Sequence, residues 1–538
     1  MKDYRLQERT ISVLLAEKAN RIPDAPYLYF DDDVFSYGRV EQLANAYAHG
    51  LTALGVTRGS RVALMMDNCP EYLWVTFALG KLGAVVVPIN CSAKGQLLAY
   101  YLADAGCSAA VVDVAYLESF AQATVGLGLT AVVVRGEEDQ ALSGNRVLGD
   151  VLESGTSAQD RPPTTDVRFT DPWFIMFTSG TTGPSKGVLS PQAHPLTVGC
   201  SVADMFEITP ADRMYTFLPM FHGNAIWYSS MVALWADAAI VLARRFSASN
   251  FWRDIQRYRC TEFNAIMTVA TILEKLEPVA EELDNPLRLA FIVPLPVQRE
   301  DLERRWGCDI VCNYSMTEIL PAAVLKRGQG YGKGNTSGTP SPYVDMRIVD
   351  EDDCAVGVGV PGEVVIRPRE PWTTFTEYVG KPEATVEAVR NLWFHTGDRA
   401  YLDEDGHFFF VDRIKDAIRR RGENISAHEI ELVLETDPRI REAAAVPVPS
   451  EMGEDDVAVY VVRADDSLSE ADVIAFAIDN LAYYMVPRYV AFIDQIPKTA
   501  SHKKAKFSLR EDAQRDFRGF WDREAHGIAV SRPGAARL

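Results

Sequence analysis

A large N-terminal domain of mostly parallel α/β sheets followed by a small α+β C-terminal domain is the architecture that three observations in the 538-residue sequence predict. The length exceeds what one hydrophobic core ordinarily serves. Helix-period and strand-period segments alternate through the first part of the chain, and near the C-terminus that alternation gives way to hairpins and short helices.

From Val40 onward Leu43, Ala44, Tyr47, Leu51 and Leu54 recur at helical spacing and stop at Gly55, after which Arg61 to Met66 (RVALMM) reads as a buried strand. A helix from about Pro70 to Lys81 precedes the strand Ala84 to Pro88, and a helix around Leu97 to Ala105 precedes the strand Ala109 to Asp113. Strands joined through helices pair in parallel, because the crossover returns the chain to the same end of the sheet. The Ser, Thr, Asp and Pro content of Ser154 to Asp171 predicts a loop leading into a strand over Trp173 to Phe177. Arg399 to Arg413 reads as a hairpin turning at Asp405-Gly406. Ser426 and Glu429 form an S-x-x-E capping box for a helix through Leu434, with strands near Ala443 to Val448 and Val457 to Val462. The boundary falls at about Ile414, giving a large domain over 1–414 and a small one over 415–538.

Composition narrows the function classes. Fifty-four basic against 74 acidic side chains leave a formal charge of −20, which repels phosphate backbones, so no nucleic acid partner is expected. Eight cysteines are scattered without a CxxC pair or neighbouring histidines, as expected of reduced, mostly buried thiols. The N-terminal MKDYRLQERT lacks an apolar signal region, and the most apolar stretch, Leu73 to Ile89, is interrupted by Gly80, Lys81 and Gly83. No integral membrane segment and a cytoplasmic location are expected. A homodimer is compatible with the sequence but not required by it.

The run Thr178 to Gly187 (TSGTTGPSKG) holds five hydroxyl side chains, three glycines and a lysine in ten residues. Glycines let backbone amides approach an anion, hydroxyls donate further hydrogen bonds, and Lys186 adds a mobile charge, which together make phosphate-binding chemistry. A Walker loop would need glycine before the lysine and Ser or Thr after it, whereas Ser185 and Gly187 flank Lys186. Gly183 to Gly187 also matches G-x-S-x-G, but a nucleophile elbow follows its strand directly, and Ser185 comes too late after Phe177.

This loop resembles the signature of the acyl-adenylate-forming superfamily of acyl-CoA synthetases, adenylation domains and luciferases. The resemblance continues in order through Leu218 to Asn224 (LPMFHGN), Asn313 to Glu318 (NYSMTE), Gly362 to Arg367 (GEVVIR), Trp393 to Asp398 (WFHTGD), Asp412 to Glu431 and Pro497 to Phe507. Among branches it is most similar to the carnitine/crotonobetaine-CoA ligases, through FFFVDRIKDAIRRRGENIS and the segment Glu377 to Thr385 (EYVGKPEAT). The resemblance implies an ATP-dependent acid–thiol ligase that forms an acyl-adenylate, releases pyrophosphate, and passes the acyl group to coenzyme A with release of AMP. An adenylating enzyme loading a carrier-protein thiol is the alternative, disfavoured because no carrier domain is attached. A catalytically silent nucleotide binder is disfavoured by the presence of Lys503, Glu318 and Asp398.

Carried over residue by residue, the resemblance puts the ATP phosphates on Thr178, Ser179, Gly180, Thr181, Thr182, Gly183 and Lys186. In NYSMTE, Asn313 and Ser315 join Tyr314, which would pack on adenine, Thr317, which would contact the α-phosphate, and Glu318, which would hold Mg²⁺. Asp398 and Arg413 would hold the ribose, and Lys503 would bridge the acid and the α-phosphate, with Lys504 and Lys506 close enough to leave the register open. The small-molecule carboxylic acid would sit among His222, Gly223, Asn224, Ile226, Trp227, Tyr314 and Met316, with His222 either contacting the carboxylate or only packing. Coenzyme A would enter between the domains beside the loop Arg421-Gly422-Glu423, with Gly422 giving close access to the backbone, and the run Arg419-Arg420-Arg421 either meets its phosphates or is a solvated helix face. Lys503 and the thiol cannot occupy one space, so the small domain is expected to be mobile, hinged at Lys415. Three departures from the family pattern stand out: His502 before Lys503, Ser315 where glycine is common, and FIVPLP (Phe291 to Pro296) in place of a Gly-rich adenine segment.

Overall fold

The computed structural model describes residues 4–136, 145–178, 185–413, 417–420, 423–451, 453–497, 504, 506–517 and 519–530. The predicted alternation is observed, with the strands Arg61–Met65, Val85–Pro88 and Ala109–Asp113 and the helices Tyr37–Ala53, Pro70–Leu82 and Gly95–Asp104. These strands pair in parallel within an eight-stranded sheet that continues through Pro172–Thr178, Lys186–Pro191 and Glu377–Tyr378. A nine-stranded sheet carries the parallel strands Glu262–Ile266, Leu289–Val293 and Asp309–Tyr314. Val344–Val349, Gly362–Pro368, Phe394–Leu402 and Phe408–Arg413 make an antiparallel sheet.

The apolar stretch at Leu73 is core. Every residue of Pro70–Leu82 except Glu71 is buried, and Gly83 ends the helix at φ 67°, a conformation that glycine adopts without steric cost. Lys81, 1% exposed, is tolerated there because Glu41 receives its ammonium at 2.6 and 2.7 Å and Asn45 at 2.9 Å. Removing Glu41 would leave a buried charge unpaired, at a cost of about 3–5 kcal/mol. Among the described residues no helix is long and apolar enough to cross a membrane. Six of the eight cysteines are buried as free thiols, whereas Cys200 is half-buried and Cys354 exposed.

One boundary shifts. The expected loop from Ser154 begins inside a helix, Leu148–Thr156, because Leu148, Val151 and Gly155 bury one face against the helix Tyr37–Ala53.

The C-terminal part consists of a hairpin, Ala417–Arg420 with Glu423–Ser426, the helix Ala427–Leu434, and a sheet built from Ile440–Pro449, Asp455–Arg463, Tyr489–Phe492 and Trp521–Asp522. It does not stand apart. Ile418, Ile425, Ala427 and Ile430 share one apolar cluster with Met65, Val87, Ile175 and Leu189 of the eight-stranded sheet. Burying each of the larger side chains among these contributes about 1.5–3 kcal/mol, so this docking is a substantial interface. The expected boundary at Ile414 and the hinge at Lys415 lie outside the described residues.

Candidate active site

The two strands that flank the phosphate-type run pair with each other. Pro172–Thr178 and Lys186–Pro191 pair antiparallel, with Thr178 opposite Lys186. Ser179, Gly180, Thr181, Thr182 and Gly183 lie outside the described residues, so the structure places the two ends of the loop. Gly187 is required by packing, because a Cβ there would fall 2.9 Å from Ile175 Cγ2.

Both ends open on a cavity of about 500 Å³, which His222, Ser315, Met316, Thr317, Glu318 and Asp398 also line. Glu318 is 3% exposed and Asp398 2% exposed, so each carboxylate is held inside the site by its surroundings. The Tyr314 hydroxyl donates to Asp398 Oδ2 at 2.7 Å, and its ring lies 4.7 Å from Phe408. Tyr314 is therefore buried beneath the cavity beside Asp398, and Asn313 is buried next to it. Asp398 is also paired in backbone register with Arg413, whose strand begins at Phe408.

The small domain completes the site. Glu423, Glu429, Tyr484 and Met485 line the same cavity. His222 Nε2 lies 2.9 Å from Glu423. Burial is the largest influence on the imidazole and lowers its pKa, but the charge and hydrogen bond of Glu423 together raise it above the usual histidine value. His222 therefore meets Glu423 across the interface between the two domains. Ser426 caps the helix by accepting the Glu429 N–H at 3.3 Å, as expected, but the Glu429 carboxylate accepts the Ser185 N–H at 2.9 Å. Burial pushes the Glu429 pKa up to about 7.

Of the basic run, Arg420 is not a solvated or CoA-facing residue. It is 2% exposed, pairs with Asp456 at 2.8 Å and donates to the carbonyls of Tyr484 and Val486. Arg421, Gly422 and Lys503 lie outside the described residues. Lys504 donates to Glu435 at 2.7 Å, Glu431 at 3.2 Å and the Ala443 carbonyl at 2.7 Å, and Lys506 lies 2.6 Å from Glu431.

A hard cation fits beside Glu318, a buried carboxylate at the cavity wall, whose oxygen chemistry suits Mg²⁺. Two other acid–histidine groups, Asp353 with Glu363 and His395, and Asp403 with Asp405 and His407, already carry the side chains of Arg390 and Lys333. The sequence pointed to Glu423 only as part of the loop beside which coenzyme A would enter, and it did not point to Glu429, Tyr378 or Tyr484 as cavity residues. Glu429 had a local signal that pointed to capping, and Tyr378 lay in a segment noted only for its likeness to relatives.

Comparison with known proteins agrees with this geometry. Residues 15–378 match the model of the AMP-binding enzyme family and residues 429–503 that of the AMP-binding enzyme C-terminal domain. The crotonobetaine/carnitine–CoA ligase of Salmonella paratyphi A is 29% identical over 484 residues, covering 88% of this chain and 93% of that protein. The ligase of the same name from Citrobacter koseri is 29% identical over 489 residues, with the same coverage. A fatty acyl CoA synthetase of Mycobacterium tuberculosis superposes with a TM-score of 0.67 at 27% identity, covering 94% of this chain and 99% of that one. ATP-bound MatB from Rhodopseudomonas palustris gives 0.67 at 26% identity, covering 93% and 98%.

Proposed function

We infer that this chain, which belongs to the AMP-binding enzyme family and is an AMP-forming acid–CoA ligase, carries out both of its half-reactions in the cavity between the phosphate hairpin and the docked small domain. The observation that carries this reading is the convergence on one cavity of Thr178, Lys186, Thr317, Glu318 and Asp398 from the large domain with Glu423 and Glu429 from the small one. Loading of a carrier-protein thiol is not favoured.

In the first half-reaction a carboxylate oxygen of the acid attacks the α-phosphorus of ATP, forming the mixed anhydride and releasing pyrophosphate. Lys186 and the hydroxyls of Thr178 and Thr317 hold the phosphates, and Asp398, oriented by the Tyr314 hydroxyl, accepts hydrogen bonds from the ribose. Glu318 would hold Mg²⁺, which when bound supplies positive charge against the phosphate oxygens. Lys503 is the adenylation lysine in this reading. Support comes from its two neighbours in the motif, Lys504 and Lys506, whose ammonium groups are already engaged by Glu431.

In the second half-reaction the CoA sulfur attacks the acyl carbonyl, the anhydride C–O bond breaks, and AMP leaves. The strands Ala417–Arg420 and Glu423–Ser426 pair antiparallel, and Glu423 reaches the cavity beside His222, an arrangement that supports entry of the thiol along this hairpin. The small domain begins at about residue 415 in this reading and undocks for adenylation. Free thiols and the lack of a long apolar helix among the described residues support a cytoplasmic location.

The test is incubation with ATP, CoA and a panel of carboxylic acids that begins with crotonobetaine and carnitine, for which the relatives are named, and extends to alkanoates and aromatic acids. AMP release with a thioester of matching mass is expected for at least one acid. AMP release with none of them would overturn the reading.

A further inference from the structure

The segment Phe375 to Lys381 has none of the roles assigned so far, yet it touches three pieces of the site at once. Tyr378 pairs in register with Val188, and the Val379 N–H donates to the Gly187 carbonyl at 2.9 Å, so the segment is tied to the return strand of the phosphate hairpin. The Phe375 N–H donates to the Glu318 carbonyl at 2.9 Å, which ties it to the NYSMTE turn. The Phe375 ring meets Phe394, at the start of the strand that carries Asp398, edge-on at 5.2 Å. At the far end Lys381 is fixed by Asp104 at 2.7 and 2.8 Å.

At the centre of this bracket is Tyr378, 6% exposed and part of the cavity wall. Its hydroxyl donates to Glu318 Oε1 at 2.9 Å, and the Lys186 ammonium stands 4.5 Å from its ring centroid. One side chain therefore contacts both the acid read as the Mg²⁺ ligand and the cation read as the phosphate contact. We propose that Tyr378 is a positioning residue that sets Glu318 and Lys186 in fixed places facing the ATP phosphates, its hydroxyl orienting the carboxylate and its ring holding the ammonium. The proposal rests on the metal and phosphate roles given above to Glu318 and Lys186.

Each contact suits its task. A phenol that donates to one carboxylate oxygen fixes the orientation of the other and keeps the group anionic. The ring face attracts the ammonium weakly enough to release it to a phosphate, whereas a carboxylate in that place would compete for it.

The test uses the full-length protein and three variants, Tyr378→Phe, Tyr378→Leu and Glu318→Gln. Mn²⁺ affinity in the presence of α,β-methylene-ATP is read by electron paramagnetic resonance, and affinity for the analogue without metal is read by calorimetry. Melting temperature serves as the control for folding. Tyr378→Phe should weaken Mn²⁺ binding by about tenfold, the scale on which second-sphere partners act, and leave metal-free nucleotide affinity at the parent value because the ring remains. Tyr378→Leu should weaken both, the metal-free affinity by about two- to fivefold.

If Glu318→Gln loses Mn²⁺ affinity while Tyr378→Phe retains it, the positioning role is wrong and the metal reading stands. Parental Mn²⁺ affinity in Glu318→Gln would remove the metal reading and the proposal with it. Equal weakening of both affinities by both tyrosine variants would indicate general loosening and also overturn the proposal.

Discussion

Glu429 lies where a charged carboxylate is least welcome, 5% exposed between the small domain and the phosphate hairpin, facing Ser185 and Tyr101, with Glu423 and Tyr484 also lining that cavity. Burial, partly offset by hydrogen bonds from Ser185 and Tyr101, raises its pKa from 4.5 to about 7. Because the docked form binds the proton more tightly than the hydrated form, docking is fully favoured below 4.5 and weakens as pH rises from 4.5 to about 7. Above that the penalty is constant. The interval, at roughly 1.4 kcal/mol per pH unit, amounts to about 3 kcal/mol, or about two orders of magnitude in an opening equilibrium. Glu429→Gln keeps an acceptor for the Ser185 N–H and removes the charge, with the Tyr101 hydroxyl available to its amide. Hydrogen exchange of the Ala427–Leu434 amides, compared between parent and variant at each pH, should be slower in the variant by up to that factor at pH 8 and the same at pH 4.5. A pH-independent difference, or none at pH 8, would refute the argument.

Asp398→Ala should weaken AMP and ATP binding by roughly 10- to 150-fold, the loss of about 1.5–3 kcal/mol for hydrogen bonds to a charged group, as measured by calorimetry. Glu423→Gln should lower the His222 pKa, measured by NMR titration. In the parent the raised imidazole pKa stabilises docking below pH 6.5 and that contribution is lost as pH rises through the His222 value, so the variant should lack it. Lys503→Ala should slow pyrophosphate exchange by roughly two to four orders of magnitude while supplied acyl-AMP is still converted to acyl-CoA. Lys504→Ala should instead destabilise the small domain, seen as a lower melting temperature, because Glu431 and Glu435 lose a shared cation.

What the sequence discloses and what it hides divide along the range of the interaction. Strands such as Arg61–Met65 and Ala109–Asp113 are buried on both faces, so their apolar runs mark them within a residue. The hairpin at Asp405-Gly406 and the Ser426 cap are likewise set by neighbours in the chain. Thr317, Glu318 and Asp398 were singled out by the ordered motifs that hold them, and all three line one cavity. The contacts that escaped are those between partners distant in sequence. Glu423 meets His222, Glu429 meets Ser185, Tyr378 meets Glu318, and Arg420 meets Asp456, and nothing in the local pattern of either partner encodes the meeting. Glu429 is the instructive case. Its spacing from Ser426 satisfied a local rule, and the backbone half of that rule is obeyed, yet the carboxylate was recruited across the interface. A local motif fixes where a side chain starts, and the packing of the two domains decides what it touches, so the contacts of Glu423 and Glu429 in this site become visible only once the small domain is docked.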